Sequence, residues 1–166
     1  MEILLLLPAL IQGLAMVVDE FYYHHRRGLG RWERIGHPID TLGVMATYIP
    51  LVIAGFSQTQ FIFFLGLGIF SSILVTKDEF VHQRECLAGE QWLHSLLFVL
   101  HPLVFVAAGV SWYLLNDRNA ALWGSFHWAT PDFLRVSLLM QLAAVTVVFV
   151  YQTIYWNYLW KPQANK

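Results

Sequence analysis

Charge is scarce in this 166-residue chain: Asp, Glu, Lys and Arg make up only 13% of it, where a soluble domain carries about 25%. Apolar residues reach 57% and aromatics 16%, which excludes an ordinary soluble fold and implies an integral membrane protein. Several spans of roughly 20 residues each would use nearly the whole length, so no large soluble domain is expected beside them. The balance is also without a basic excess. Ten Lys and Arg against eleven Asp and Glu give a net charge of -1, too weak a field to gather nucleic acid. Cysteine is nearly absent. Cys86 alone permits no intrachain disulfide and no thiolate cage, so any metal is expected to use histidine and carboxylate.

Five apolar stretches suggest an all-α integral membrane fold with five transmembrane helices, at about 3–25, 38–56, 58–82, 90–115 and 133–158, and an outer loop at 116–132. The first begins Met1-Glu2, has no positive n-region and no Ala-x-Ala site, and runs into Asp19-Glu20; it reads as a retained span rather than a secretory signal. With five spans, eight basic residues (Arg26, Arg27, Arg31, Arg34, Lys77, Arg84, Lys161 and Lys166) lie on one side and two (Arg118 and Arg135) on the other. The positive-inside bias then sets the N-terminus outside and the C-terminus in the cytoplasm, as in a bacterial inner membrane. Tyr151, Tyr155, Trp156, Tyr158 and Trp160 before Lys161 read as an interfacial aromatic belt.

The ionisable residues are concentrated. Six of seven histidines (His24, His25, His37, His82, His94 and His101) and eight of eleven acids (Asp19, Glu20, Glu33, Asp40, Asp78, Glu79, Glu85 and Glu90) fall at the cytoplasmic ends of spans 1 to 4. Helix ends attract polar residues of every kind, yet this set consists almost wholly of first-row metal ligands. At about 100° per residue, Glu90, His94 and His101 share a face on span 4, and Asp78, His82 and Glu85 on span 3. Glu20 and His24 are spaced i, i+4, His37 and Asp40 i, i+3, and Glu79 precedes His82 as Glu-x-x-His. The expected metal ligands are therefore Glu20, His24, His37, Asp40, Asp78, Glu79, His82, Glu90, His94 and His101. For His101, deep in an apolar run before Pro102, a hydrogen-bonded core role stands beside ligation. His25 points away from His24 and equally suits a lipid-headgroup contact.

Asp19-Glu20-Phe21-Tyr22-Tyr23-His24 recurs 59 positions later as Asp78-Glu79-Phe80-Val81-His82, and Glu33-x-x-x-His37 recurs as Glu90-x-x-x-His94. Spans 1–2 and 3–4 then read as two copies of one hairpin related by a pseudo-two-fold axis along the membrane normal, with span 5 flanking the bundle. Such an axis suits two metals. The arrangement resembles the ferritin-like di-iron carboxylate proteins, whose four-helix bundles supply Glu and Glu-x-x-His ligands. The likeness covers roughly residues 16–105. Only Glu79 to His82 has the family spacing, Glu20 to His24 and Glu90 to His94 are one residue longer, and His37-x-x-Asp40 reads in reverse. The abundance of histidine leans toward membrane desaturases and hydroxylases, although their His-x-x-His-His boxes are absent.

The expected function is a membrane-bound di-iron oxidoreductase with two Fe ions (alternatively Zn or Mn), O2, an electron donor and a lipid or other lipid-soluble substrate, Glu20, Glu79 and Glu90 serving catalysis. Rival readings are a zinc-dependent lipid hydrolase with Glu79 or Glu90 as base, a metal or proton carrier, and haem ligation. The carrier reading is weakened because the ionisable residues occupy one end only, and haem would not need the carboxylates.

Overall fold

The computed structural model describes residues 3–116 and 130–161. The expected outer loop around Trp123 and Trp128, Arg118, and Lys166 lie outside the described residues. Five long helices follow one another, with no strand among the described residues. Helix α1 (Ile3–Val18) continues through a π-helical stretch, Asp19–His24, and a last turn, His25–Arg27. Helix α2 is Arg31–Ile53. Helix α3 (Gln58–Leu74) continues through a 3-10 turn, Val75–Asp78, into Glu79–Glu85. Helix α4 is Ala88–Asn116, and α5 (Pro131–Ile154) ends in a π-helical stretch, Tyr155–Leu159.

Four of the five, Leu4–Arg27, Gln58–Glu85, Ala88–Asn116 and Pro131–Leu159, are long and apolar enough to cross a membrane. They turn large apolar side chains such as Leu14, Ile62, Val106 and Val147 outward, as a lipid solvent requires. Helix α2 is set apart because Arg31, Glu33, Arg34, His37 and Asp40 crowd its first ten residues.

Local chemistry explains the helix starts. Ser57 and Thr130 cap α3 and α5 by accepting from the backbone N–H of Gln60 and Phe133 at 3.3 and 3.2 Å, satisfying donors that a helix start leaves free. Pro131 follows Thr130 at the first helical position, where its missing N–H costs nothing. Pro38 suggests in sequence that span 2 opens at His37, but the helix starts six residues earlier. Gly30 precedes its first turn, and Glu33 accepts from the Gly30 N–H at 3.1 Å. Pro38 therefore lies inside α2, where it cannot bond the Arg34 carbonyl. Asn157, from the end of α5, donates to that carbonyl at 3.1 Å instead.

Helix α2 packs most extensively on α5 and then on α3, while α1 lies against α4, and α4 also touches α3, α2 and α5. Helix α5 is thus an integral wall of the bundle, where the sequence suggests only a flanking helix. Away from the charged end, Tyr48, Leu51, Phe64, Val104, Phe105, Ala108, Trp112 and Leu138 form the apolar core. Its two polar tips are bonded: Tyr48 donates to the Gln141 side chain at 2.8 Å and Trp112 to the Ala54 carbonyl at 3.0 Å. At the charged end Gly28 turns the chain between α1 and α2 with φ 76°. A Cβ there would meet the Trp160 ring at 2.7 Å, so both backbone conformation and space favour glycine.

Candidate metal centre

The centre begins with the winding of α1. On a regular helix, at about 100° per residue, Asp19 and His24 would point about 140° apart. The π-helical turn, whose bonds run from i to i+5, brings residues five apart nearly into line. As a result Asp19, Glu20 and His24 are all buried on the same side. His24 Nδ1 lies 3.2 Å from Glu20, and its Nε2 is 3.3 Å from Asp19 and 3.8 Å from Glu90. From α4, His94 Nε2 is 3.0 Å from both Asp19 carboxylate oxygens.

From α2 come Glu33 and His37, and from the end of α3 comes His82. The rings of His24 and His37 stack with centroids 5.0 Å apart, and those of His82 and His94 are 3.9 Å apart. His82 Nε2 lies 3.5 Å from Glu33. Three overlapping sets have ligand atoms within 4.8 Å of one another: Asp19, His24, Glu90 and His94; His24, Glu33 and His37; and His82, Cys86 and His94. Each could hold a metal ion.

Two cations and a wall of donors surround these ligands. Arg27 donates to both Glu33 oxygens at 2.9 and 2.6 Å and to Glu90 at 3.0 Å. Lys77 bonds both Asp40 oxygens at 2.7 and 2.6 Å and lies 3.2 Å from Asp78. Glu20 accepts from the Trp156 indole at 2.6 Å and from the Tyr151 hydroxyl at 3.0 Å. Even so, His24 Nε2, both ring nitrogens of His82 and His94 Nδ1 are buried without a hydrogen-bond partner. Buried polar atoms are nearly always partnered, and neutral imidazole nitrogens beside carboxylates are a donor set that could hold a first-row metal ion.

Of the ligands expected from sequence, His24, His37, His82, Glu90 and His94 come together in these sets, with Glu20 directly behind His24. Asp40 and Asp78 are held by Lys77 at one edge, Asp78 lying 3.7 Å from His37. Glu79 is half-buried and belongs to none of the sets. The Asp-Glu-Phe copies are wound differently, π-helical in α1 and ending a 3-10 turn in α3, which aims Asp78 and Glu79 elsewhere than Asp19 and Glu20. His101 is buried on the Ser71 hydroxyl at 3.1 Å, outside the sets. His25 stacks on Tyr155 and bonds the Tyr151 hydroxyl at 2.8 Å.

Three candidate ligands in these sets are not among those expected from sequence. Asp19 falls off the face of His24 on regular helical spacing, Glu33 sits before a proline that suggests a helix boundary, and Cys86 has no second cysteine. Trp156, assigned to an interfacial belt, is buried at 1% exposure, while Tyr158 does face outward at 77%.

A cavity of about 490 Å³ opens on the cluster. Asp19, His24, His37, His82 and His94 line one part of it, and Ala9, Val44, Leu97, Phe98, Val145 and Val148 continue it toward the middle of the bundle. No protein-family model matches the chain, and neither does any curated protein or solved structure.

Proposed function

We propose that this chain is a membrane-bound di-metal oxidoreductase, holding two iron ions at the charged end of its helices and acting on a lipid-phase substrate with O2 and an electron donor. The observation that carries the reading is the group of unpartnered buried imidazole nitrogens, set among carboxylates at the mouth of an apolar cavity. Charge supports two ions. The buried acids of the described residues are Asp19, Glu20, Glu33, Asp40, Asp78 and Glu90, and the adjoining cations are Arg27 and Lys77. With neutral histidines, as ligation requires, four negative charges remain, matching two divalent cations.

In this reading Asp19, His24, Glu90 and His94 hold one ion and His24, Glu33 and His37 border the other. Iron supplies the capacity to activate O2, which carboxylate and imidazole ligands suit. The protein's own groups do the rest. Trp156 and Tyr151 fix the Glu20 carboxylate, which orients His24 through Nδ1, as outer partners of metal-bound histidines do. Arg27 orients Glu33 and Glu90. The apolar walls formed by Val44, Leu97 and Phe98 exclude water from the reacting carbon and accommodate an acyl or isoprenoid chain. A hydrolase has the opposite need, because water must reach its metal. The likeness to ferritin-like di-iron proteins is one of ligand chemistry and helical plan. Helix α2 is read as a fifth membrane helix and the charged end as cytoplasmic, on the eight-to-two distribution of basic residues; a reporter fused after Lys166 should be cytoplasmic, and a periplasmic signal would invert the orientation.

Elemental analysis of purified protein tests the core of the reading. Two irons per chain, and O2 uptake by the reduced protein that rises with a lipid-soluble substrate, are expected. His94→Ala should lose most of the metal while the protein still inserts, since direct ligands set affinity. Full occupancy in His94→Ala and His24→Ala would overturn the metal site. Zinc alone from iron-replete medium, with lipid ester cleavage and no O2 uptake, would reassign the chain as a hydrolase.

A further inference from the structure

Cys86 follows the last turn of α3, and two contacts fix it there. Its N–H donates to the His82 carbonyl at 3.0 Å. Gln91, from the first turns of α4, donates through its side chain to the carbonyls of His82 and Cys86 at 3.2 and 3.3 Å. The connection between α3 and α4 is therefore pinned, and it holds the thiol, His82 and His94 with ligand atoms within 4.8 Å of one another. Both imidazoles are more than nine-tenths buried, at 3% and 4% exposure. Neither nitrogen of His82 has a hydrogen-bond partner, nor has Nδ1 of His94. His94 Nε2 is already engaged with Asp19, which leaves Nδ1 as the nitrogen it offers.

We propose that His82, Cys86 and His94 form a third binding site, for a thiophilic metal ion of the Zn2+ class, which shares His94 as a bridging imidazole with the carboxylate-rich pair of sites. The donor set decides the class. One thiolate and two imidazoles favour borderline-soft ions, whereas Asp19, Glu33 and Glu90 favour harder ones. Tetrahedral zinc with bonds of about 2.0–2.3 Å needs ligand atoms about 3.3–3.8 Å apart, so a set whose atoms lie within 4.8 Å of one another closes on the ion with small side-chain shifts. Asp19, 3.0 Å from Nε2, fixes the orientation of the His94 ring from the side of the carboxylate-rich sites. Burial pushes the Cys86 thiol above its ordinary pKa, so ion binding displaces the thiol proton to solvent. A fourth position stays free for water or an exogenous ligand.

Cobalt(II) serves as the probe, because thiolate-bound Co2+ has a strong charge-transfer absorption that carboxylate and imidazole sites lack. Titrating the detergent-solubilised full-length protein with Co2+ should produce that band, and Cys86→Ser should abolish it and bind one ion fewer per chain. Cys86→His should keep the ion but lose the band, which separates ligation from general disturbance. Zn2+ should slow maleimide alkylation of Cys86 in the wild type at least tenfold. The proposal is overturned if the band is absent while the protein binds Co2+, or if Cys86→Ser binds as many ions as the wild type. Full retention of the carboxylate-site metals in His24→Ala, with the thiolate band intact, would defeat the di-iron reading and leave this site standing.

Discussion

The two ends of the bundle hold their helices together by opposite means. Around Tyr48, Phe64, Phe105, Trp112 and Leu138 they meet through close apolar packing. Around His24 they meet through carboxylates, imidazoles, Arg27 and Lys77. In a lipid solvent apolar surface gains little from leaving one hydrocarbon environment for another, so packing complementarity rather than the hydrophobic effect supports the first region. In the second, each charged group is tolerable only while its partners stay in place, because an unpaired buried charge costs several kcal/mol. The apolar end can therefore accept changes that preserve volume, and the charged end cannot accept even changes that preserve shape. This contrast suits a metal site, whose ligands must be held in place by groups that are themselves held.

The comparison breaks most directly at Glu33, which is fully buried and receives both Arg27 nitrogens. Glu33→Ala removes two of the three hydrogen bonds of the guanidinium and leaves it with Glu90; the expected loss is about 3 kcal/mol, the low end for breaking a buried pair, read from denaturant unfolding in detergent, together with reduced metal content. A loss below about 1 kcal/mol would mean that water reaches the cluster freely and that its ion pairs behave like surface ones.

At the other end, Trp112→Ala removes one of the two largest fully buried side chains among the described residues. Such truncations cost about 3–5 kcal/mol in soluble cores, but a membrane lacks the transfer contribution from water, so about 2 kcal/mol is expected. Metal content should be unchanged. If Trp112→Ala lost metal as Glu33→Ala does, the two ends would be one cooperative unit rather than two separately built regions.

The finest test is Trp156→Phe, which keeps an aromatic side chain, though a smaller one, and removes the indole N–H that Glu20 accepts at 2.6 Å. A hydrogen bond to a charged group contributes about 1.5–3 kcal/mol; with Tyr151 still in place the low end is expected. Metal affinity should fall about tenfold, as it does when outer partners of ligands are removed. Unaltered affinity would show that Glu20 does not orient His24 through this bond.

Much of this was legible along the chain. Scarce charge and long apolar runs require helices in a membrane, because backbone groups in lipid must be satisfied within their own segment. Spacing on regular helices identified Glu90 with His94, Glu20 with His24, and the concentration of histidine and acid at one end. These are properties of composition and of a fixed helical period, so no tertiary contact is needed to read them. The tertiary structure decided what departs from that period or depends on a distant partner. Asp19 turns inward only because α1 is wound as a π-helix there. Glu33 joins the centre because α2 begins at Arg31, and the Arg34 carbonyl released by Pro38 finds Asn157, 123 residues away. Trp156 and Tyr151 reach Glu20 only because α5 packs into the bundle, and Lys77 claims Asp40 across two helices. A partner's position in space cannot be inferred from its separation along the chain, which is why the ligand types could be read from the sequence and their assembly could not.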